Sequence, residues 1–231
     1  MITDIFLLIT VYVYVLLIIA VGIKLREAGF KAGLTRKMIH LFAGDSIIIL
    51  PLFSSRWWPA MIPIGLALGI GLIFTFAKES SISKAMIETG DVKAHAYGPV
   101  YYIISILALV LLFWNYQFVA IASTFIMAWG DGMASIIAAK AKNRHRFPFG
   151  SRSLEGSTAM FLFSLLGSIV SLAGYNLLGS ALPLELGLKA CLTASLAATA
   201  AEALTEGPIR HYDNFTVPAV ASLILWLILG C

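Results

Sequence analysis

Along the chain, long apolar runs alternate with short polar interruptions, and the runs have the length of membrane helices rather than the period of amphipathic ones. A spanning helix needs roughly 20 mainly apolar residues. Eight segments fit, near 4–23, 39–53, 57–77, 97–113, 117–139, 157–178, 184–204 and 214–230. The second is short, and the seventh is weak because it is rich in Ala, Thr and Ser. The pattern predicts an all-α polytopic bundle of about eight transmembrane helices. The loops leave no room for a soluble domain, so residues 1–231 read as one transmembrane domain whose chemistry must be built from helix ends and loops.

Composition agrees with the pattern. The chain is 60% hydrophobic and 12% charged, with a mean hydropathy of +0.92, too little polar surface to cover a soluble globule. No basic residue precedes the first apolar run, so it is expected to stay as helix 1 rather than be removed as a signal peptide. Cys191 and Cys231 fall in apolar segments and read as small buried residues. Asn214-Phe215-Thr216 matches a glycosylation pattern on the side expected to be cytoplasmic, where the match is fortuitous.

The basic residues predict the orientation, because short cytoplasmic loops carry the excess of Lys and Arg. The first loop holds Lys24, Arg26, Lys31, Arg36 and Lys37, and the third Lys78, Lys84 and Lys93. The fifth holds Lys140, Lys142, Arg144, Arg146 and Arg152, and the seventh Arg210. Arg56 and Lys189 alone fall on the other side. Both termini are therefore expected outside. The pI near 9.1 records this topology and not a nucleic-acid partner.

Against this background a few ionisable residues stand inside the apolar zone, where they are costly and usually mark function. Asp45 lies about two turns into segment 2, Asp131 two to three turns from the end of segment 5, and Glu202 near the end of segment 7. Glu155, Asp213 and His40 stand at the starts of segments 6, 8 and 2. All six share the side expected to be cytoplasmic. Segments 2, 4, 6 and 8 also present their N-terminal N–H groups and positive dipole ends there, which suit anions. Tyr97-Gly98-Pro99 is expected to place its proline in a first helical turn. Asp131, between Gly130 and Gly132, has the chemistry to hold Mg²⁺, with the glycines admitting a phosphate or another backbone. Carboxylates for a divalent cation, with cations and helix N-termini for phosphates, make up the equipment of phosphoryl or nucleotidyl transfer.

Plainer readings stand beside these. Asp131 and Asp45 can be hydrogen-bonded structural acids, and Glu155 a first-turn acid that the helix dipole favours. Lys140, Lys142, Arg144 and Arg146 can be solvated loop charges, and His40 a hydrogen bond at a helix start. His95, His145 and His211 read as loop residues, and Gly65 and Gly69 as a helix-packing pair.

Taken in order, Arg36-Lys37-x-x-His40, Tyr97-Gly98-Pro99-Val100-Tyr101-Tyr102, Gly130-Asp131-Gly132-Met133-Ala134, Arg152-Ser153-Leu154-Glu155-Gly156-Ser157 and Asp213-Asn214-Phe215-Thr216-Val217-Pro218 resemble the polyprenol kinase family. That family comprises dolichol, phytol and farnesol kinases, integral membrane enzymes that phosphorylate isoprenoid alcohols, typically with CTP and a divalent cation. The resemblance spans residues 36–218. It implies that Asp131 belongs to the nucleotide and metal site, with Glu155 and Asp213 as further metal ligands. It implies nucleotide contacts from Arg36, Lys37, Lys142, Arg152, Ser153, Glu155, Gly156, Asp213 and Asn214. Asp131 joins Asp45 and His40 as catalytic residues, either of the last two orienting the acceptor hydroxyl. The partners implied are a membrane isoprenoid alcohol and a cytoplasmic nucleotide, with the oligomeric state left open.

Two departures bear on the nucleotide. Ala139-Lys140-Ala141-Lys142 stands where the family usually has a Gly-Arg pair, and Arg152 where it usually has Lys; an arginine fork and a lysine point charge contact phosphate differently. The Lys/Arg-Ser/Thr-x-Glu-Gly pattern also resembles CTP-dependent phosphatidate cytidylyltransferases. Their acid-rich C-terminal signature is missing here, where Asp213 stands alone. An ion-coupled transporter using Asp45, Asp131 and Glu202 is the third reading; it would place its site near the midplane and often show internal repeats, and neither pattern is found.

Overall fold

The computed structural model describes residues 1–77, 80–86, 92–148, 150, 152–205 and 212–230, with the side chains of 86 and 92–97 left aside. Lys78, Ser151, Arg210, His211 and Cys231 lie outside the described residues, as do the side chains of Lys93, His95 and Tyr97. The helices are α1 (Ile2–Glu27), α2 (Ala32–Gly44), α3 (Trp57–Phe76), α4 (Ser81–Met86), α5 (Val92–Leu112), α6 (Gln117–Phe125), α7 (Gly132–Lys140), α8 (Leu154–Leu177), α9 (Leu184–Leu204) and α10 (Asp213–Leu229). A 3₁₀ segment, Asp45–Leu52, continues α2, and a π-helical turn, Ile126–Asp131, joins α6 to α7. The chain is an all-α polytopic membrane bundle. Among the described residues, five helical stretches are long and apolar enough to cross a bilayer and two more, Gly98–Leu112 and Asp213–Leu229, are shorter apolar helices.

The bundle is organised for lipid outside and small side chains inside. On α1, Val11, Val15, Ile19 and Gly22 face inward at three- and four-residue spacing, while Phe6, Ile9, Val13, Leu16 and Leu17 are exposed. Lipid replaces water as the solvent, so large apolar residues remain on the outer surface. The central element is α6 with its π turn: Phe118 to Ala128 are buried without interruption, enclosed by α2, α5, α8 and α10. Small polar residues line the tight contacts, as membrane helices require. Ser168 and Ser195 approach to 3.4 Å between α8 and α9, and the buried Cys191 donates to the Ser168 carbonyl at 3.4 Å.

The two ends of the bundle differ in chemistry. One end carries Trp57, Trp58, Trp114 and Tyr116, the aromatic residues that favour a membrane interface, with Arg56 over the ring of Trp57. Here the buried Asp4 accepts the Ser54 N–H at 2.7 Å, an intramembrane acid that stands apart from the others. The opposite end holds Arg36, Lys37, Asp131, Arg152, Glu202 and Asp213.

Three local features depart from the sequence pattern. The third loop contains a short helix, α4, docked on α1 and α2; Thr35 donates to the Ala85 carbonyl at 2.7 Å and Arg26 to the Lys84 carbonyl at 3.2 Å. Segment 4 begins earlier than expected, at Val92, so Pro99 lies inside α5 and not in its first turn. Segment 2 is continuous but changes pitch at Asp45.

Candidate active site

Arg36, Lys37 and His40 ride on the second and third turns of α2, where a spacing of three puts Lys37 and His40 on one face. That face meets Asp131, the last residue of the π turn. Asp131 is 2% exposed. Its Oδ2 is paired with the Lys37 ammonium and lies 3.8 Å from His40 Nε2. Its Oδ1 is buried without a hydrogen-bond partner. The His40 ring lies against Tyr102 with centroids 3.8 Å apart, and the Tyr102 hydroxyl donates to the His40 carbonyl at 2.9 Å.

The glycines beside Asp131 admit helices. A Cβ on Gly130 would collide with Ser164 Oγ of α8 and stand 2.7 Å from Met160 Sδ on the same helix, whereas one on Gly132 would meet Leu41 of α2 at an ordinary 3.4 Å. Gly130 therefore lets α8 close on the π turn. A π turn carries one residue more than an α turn and recurs at functional sites. Here the wider turn has Asp131 reaching Lys37 of α2 and Trp129 reaching Asp45, the first residue of the 3₁₀ segment, although two positions apart on an α-helix lie on nearly opposite faces.

The second half of the site is gathered by Arg152. The chain doubles back before α8: Arg146 and Ser153 form an antiparallel bridge, Phe147 N–H donates to the Arg152 carbonyl at 3.0 Å and Leu154 N–H to the His145 carbonyl at 2.9 Å. Ser153 caps α8, its hydroxyl accepting the Gly156 N–H at 3.2 Å, as an N-cap serine does. The guanidinium so placed reaches Glu202 Oε1 at 2.5 Å on the last turn of α9 and Asp213 Oδ2 at 3.2 Å at the start of α10. Beside it a cavity of about 200 Å³ is lined by Arg144, Arg152, Ser153, Gly156, Ser157 and Glu202 among others. Glu202 Oε2 and Ser157 Oγ are buried there without hydrogen-bond partners.

In charge terms the buried group sets two cations, Lys37 and Arg152, against three carboxylates, Asp131, Glu202 and Asp213. A polyphosphate would meet a net negative group unless it brought a cation. Hard divalent cations take one or two carboxylates and complete their shell with water and phosphate oxygens. The unpartnered Asp131 Oδ1 and Glu202 Oε2 fit that demand.

The expected residues separate into groups. Lys37, His40 and Asp131 come together, as do Arg152, Ser153, Gly156 and Asp213. Glu155 turns to the loop, where both its oxygens accept from the His145 N–H at 3.2 Å and Oε1 sits 2.6 Å from Nδ1 of that exposed histidine. Among the described residues no three His, Cys, Asp or Glu are grouped to share a metal ion, so Asp131, Glu155 and Asp213 do not form one cluster. Lys142 is exposed in the loop and Arg36 is partly exposed. Asn214 fastens α10 to α5, donating to the Gly98 carbonyl at 3.3 Å while its own carbonyl accepts from Ser105 at 2.5 Å. Asp45 sits deeper and accepts the Trp129 indole N–H at 2.6 Å. Sequence reasoning placed Glu202 on the correct side but left it out of the site; its approach to Arg152, 50 residues earlier, has no local signal. Tyr102 and Trp129 were also missed, though Tyr102 lies inside the Tyr-Gly-Pro motif.

The comparisons agree on one activity. The chain is 30% identical to phytol kinase 1 of Arabidopsis thaliana over 211 residues, 87% of this chain and 68% of the relative. It is 31% identical to the phytol kinase of Synechocystis over 202 residues, 84% of this chain and 79% of the relative. A probable phytol kinase of Triticum aestivum is 29% identical over 212 residues, covering 87% and 69%. No family model matches the chain, nor does any solved structure.

Proposed function

The chain belongs to the isoprenoid alcohol kinase family that includes the phytol kinases, and we propose that it transfers the γ-phosphoryl group of a nucleotide, CTP by family resemblance, to the hydroxyl of a membrane-embedded isoprenoid alcohol. The observation that carries the reading is Asp131, buried, with one oxygen on Lys37 and the other unpartnered, at the same end of the bundle as the Arg152 clamp. Asp131 would hold the divalent cation, with Glu202 as the second candidate donor. Bound there, the cation neutralises the charge that builds on the transferring phosphoryl group.

The remaining steps fall to the protein. Arg152, the capped N-terminus of α8 and the cavity between Arg144 and Ser157 take the phosphates. Lys37 serves either Asp131 or a phosphate oxygen. Phosphoryl transfer has a loose transition state, so positioning and charge neutralisation supply most of the catalysis. The alcohol oxygen bonds to the γ-phosphorus and the bond from that phosphorus to the β-bridging oxygen breaks. The hydroxyl proton passes to a protein base, Asp45 or His40. A nucleoside diphosphate and a lipid monophosphate leave. The tail stays in the bilayer throughout, and the excess of Lys and Arg in the loops at this end supports a cytoplasmic nucleotide side.

The test is to incubate the purified protein with Mg²⁺, each of four γ-labelled nucleotides and a panel of prenyl alcohols, and to identify the products. Labelled lipid monophosphate is the expected outcome. A CDP-lipid with release of pyrophosphate, or no transfer to any alcohol, would overturn the reading.

A further inference from the structure

The acids of the site do not lie at one depth. Asp131, Lys37, His40 and Tyr102 make a closed group, whereas Asp45 follows His40 by five residues, about 7 Å further into the apolar zone. It stands where α2 tightens into the 3₁₀ segment, and it is only partly buried. One turn back on the same helix face is Phe42, 39% exposed on the outer surface of the bundle, and three residues on Ile48 packs at Gly174 of α8. Asp45 thus sits beside α8 where α2 passes into the 3₁₀ segment, one turn from a side chain on the outer surface of the bundle.

A carboxylate in the hydrocarbon zone is costly without a partner. Among the described residues the hydrogen-bond partner of Asp45 is the Trp129 indole, a single neutral donor at 2.6 Å to a group that can accept about four. The indole is held firmly: a Cβ on Gly167 of α8 would lie 3.1 Å from its Cγ, and Phe125 packs against it with ring centroids 6.0 Å apart. His40, the other base considered, is closed off. Its Nε2 faces Asp131 and its ring is covered by Tyr102.

Resting on the phosphotransfer reading above, we propose that Asp45 receives the acceptor hydroxyl from the bilayer along the α2–α8 flank and that Trp129 is the positioning residue that aims its carboxylate. The isoprenoid hydroxyl donates to Asp45, which takes its proton as the oxygen bonds to the γ-phosphorus; the electron pair of the broken phosphorus–oxygen bond leaves with the nucleoside diphosphate.

The experiment compares wild type with Asp45→Asn, Trp129→Phe and the double variant, using phytol and the nucleotide selected by the panel. Trp129→Phe keeps an aromatic side chain and removes the pyrrole ring with its N–H. It is expected to lower kcat/KM for the alcohol roughly tenfold, with nucleotide Kd and melting temperature unchanged. Asp45→Asn is expected to lower kcat at least about 100-fold with nucleotide Kd retained, and the double variant to match Asp45→Asn alone. Unchanged alcohol kinetics in Trp129→Phe, additive losses in the double variant, or a nucleotide Kd that rises with the loss of turnover would overturn the proposal. An independent arm needs no turnover: a diazirine-bearing prenyl alcohol is expected to cross-link within 38–49 and 162–174, less so in Asp45→Asn. Cross-links elsewhere would overturn the acceptor site even if the protein proves to be a kinase, and a wild type that phosphorylates no alcohol but labels this flank would overturn the phosphotransfer reading alone.

Discussion

Arg152 and Glu202 approach to 2.5 Å although the chain between them crosses the bundle twice, and through the same guanidinium Asp213 is drawn in at 3.2 Å. One side chain therefore joins the start of α8 to the end of α9 and the start of α10. Glu202 is 3% exposed, and removing one member of a buried pair leaves the other charge uncompensated. Glu202→Ala is expected to destabilise the protein by about 3 kcal/mol, read as a lower melting temperature in detergent, and to raise the nucleotide KM. A variant as stable as wild type would show that the pair is not maintained in the membrane.

Asp131→Asn keeps the shape of the side chain and removes its charge. Turnover is expected to fall at least about 100-fold, while the protein stays folded. Near-wild-type kcat in a folded Asp131→Asn protein would make Asp131 a structural partner of Lys37 and nothing more.

The two glycines that flank Asp131 are expected to respond differently. Gly130→Ala forces a methyl toward Met160 and should cost about 1–3 kcal/mol, whereas Gly132→Ala meets Leu41 at contact distance and should leave the melting temperature nearly unchanged. Equal melting temperatures for the two variants would count against the close packing of α8 on the π turn.

The fate of the nucleotide separates the kinase from a cytidylyltransferase that binds CTP in the same turn. CTP with a prenyl alcohol is expected to give CDP, and CTP with phosphatidate to give no pyrophosphate. An incoming lipid phosphate would add up to two negative charges to a site whose buried cations are already engaged with carboxylates.

Sidedness is tested by single cysteines in a Cys-free background. Lys31→Cys and Arg144→Cys are expected to resist an impermeant reagent applied to intact cells, and Arg56→Cys to react. Labelling of Arg144→Cys from outside would reverse the orientation that the basic loops imply.

The parts of this arrangement that were legible in the sequence are those carried by local pattern. Segment 1 is visible as an apolar run of membrane length, and Asp131 stands out because it interrupts such a run. Arg152 and Ser153 were legible as the approach to a helix N-terminus, though not as its cap. Pairings were not legible, because they depend on how helices rotate against one another once packed: nothing near Lys37 specifies Asp131, 94 residues away, and nothing near Asp45 specifies Trp129. Glu155 misled for the same reason. Its place in a first turn suits a phosphate site, but the doubled-back loop brings His145 to it first.

The π turn makes the site depend on the number of residues between Ile126 and Asp131 as well as on their identity. A π turn bonds five residues back, and Gly132 N–H returns to the Ala128 carbonyl, four residues back, where α geometry resumes. Deleting one residue there would let the segment relax to a plain α-helix, in which Trp129 and Asp131 could no longer both reach the stretch that carries Lys37 and Asp45. One of the two pairs would be lost while every side chain named in the site was still present in the chain. Loss of function here can therefore arise from a change in length that leaves composition, hydropathy and motif residues nearly untouched.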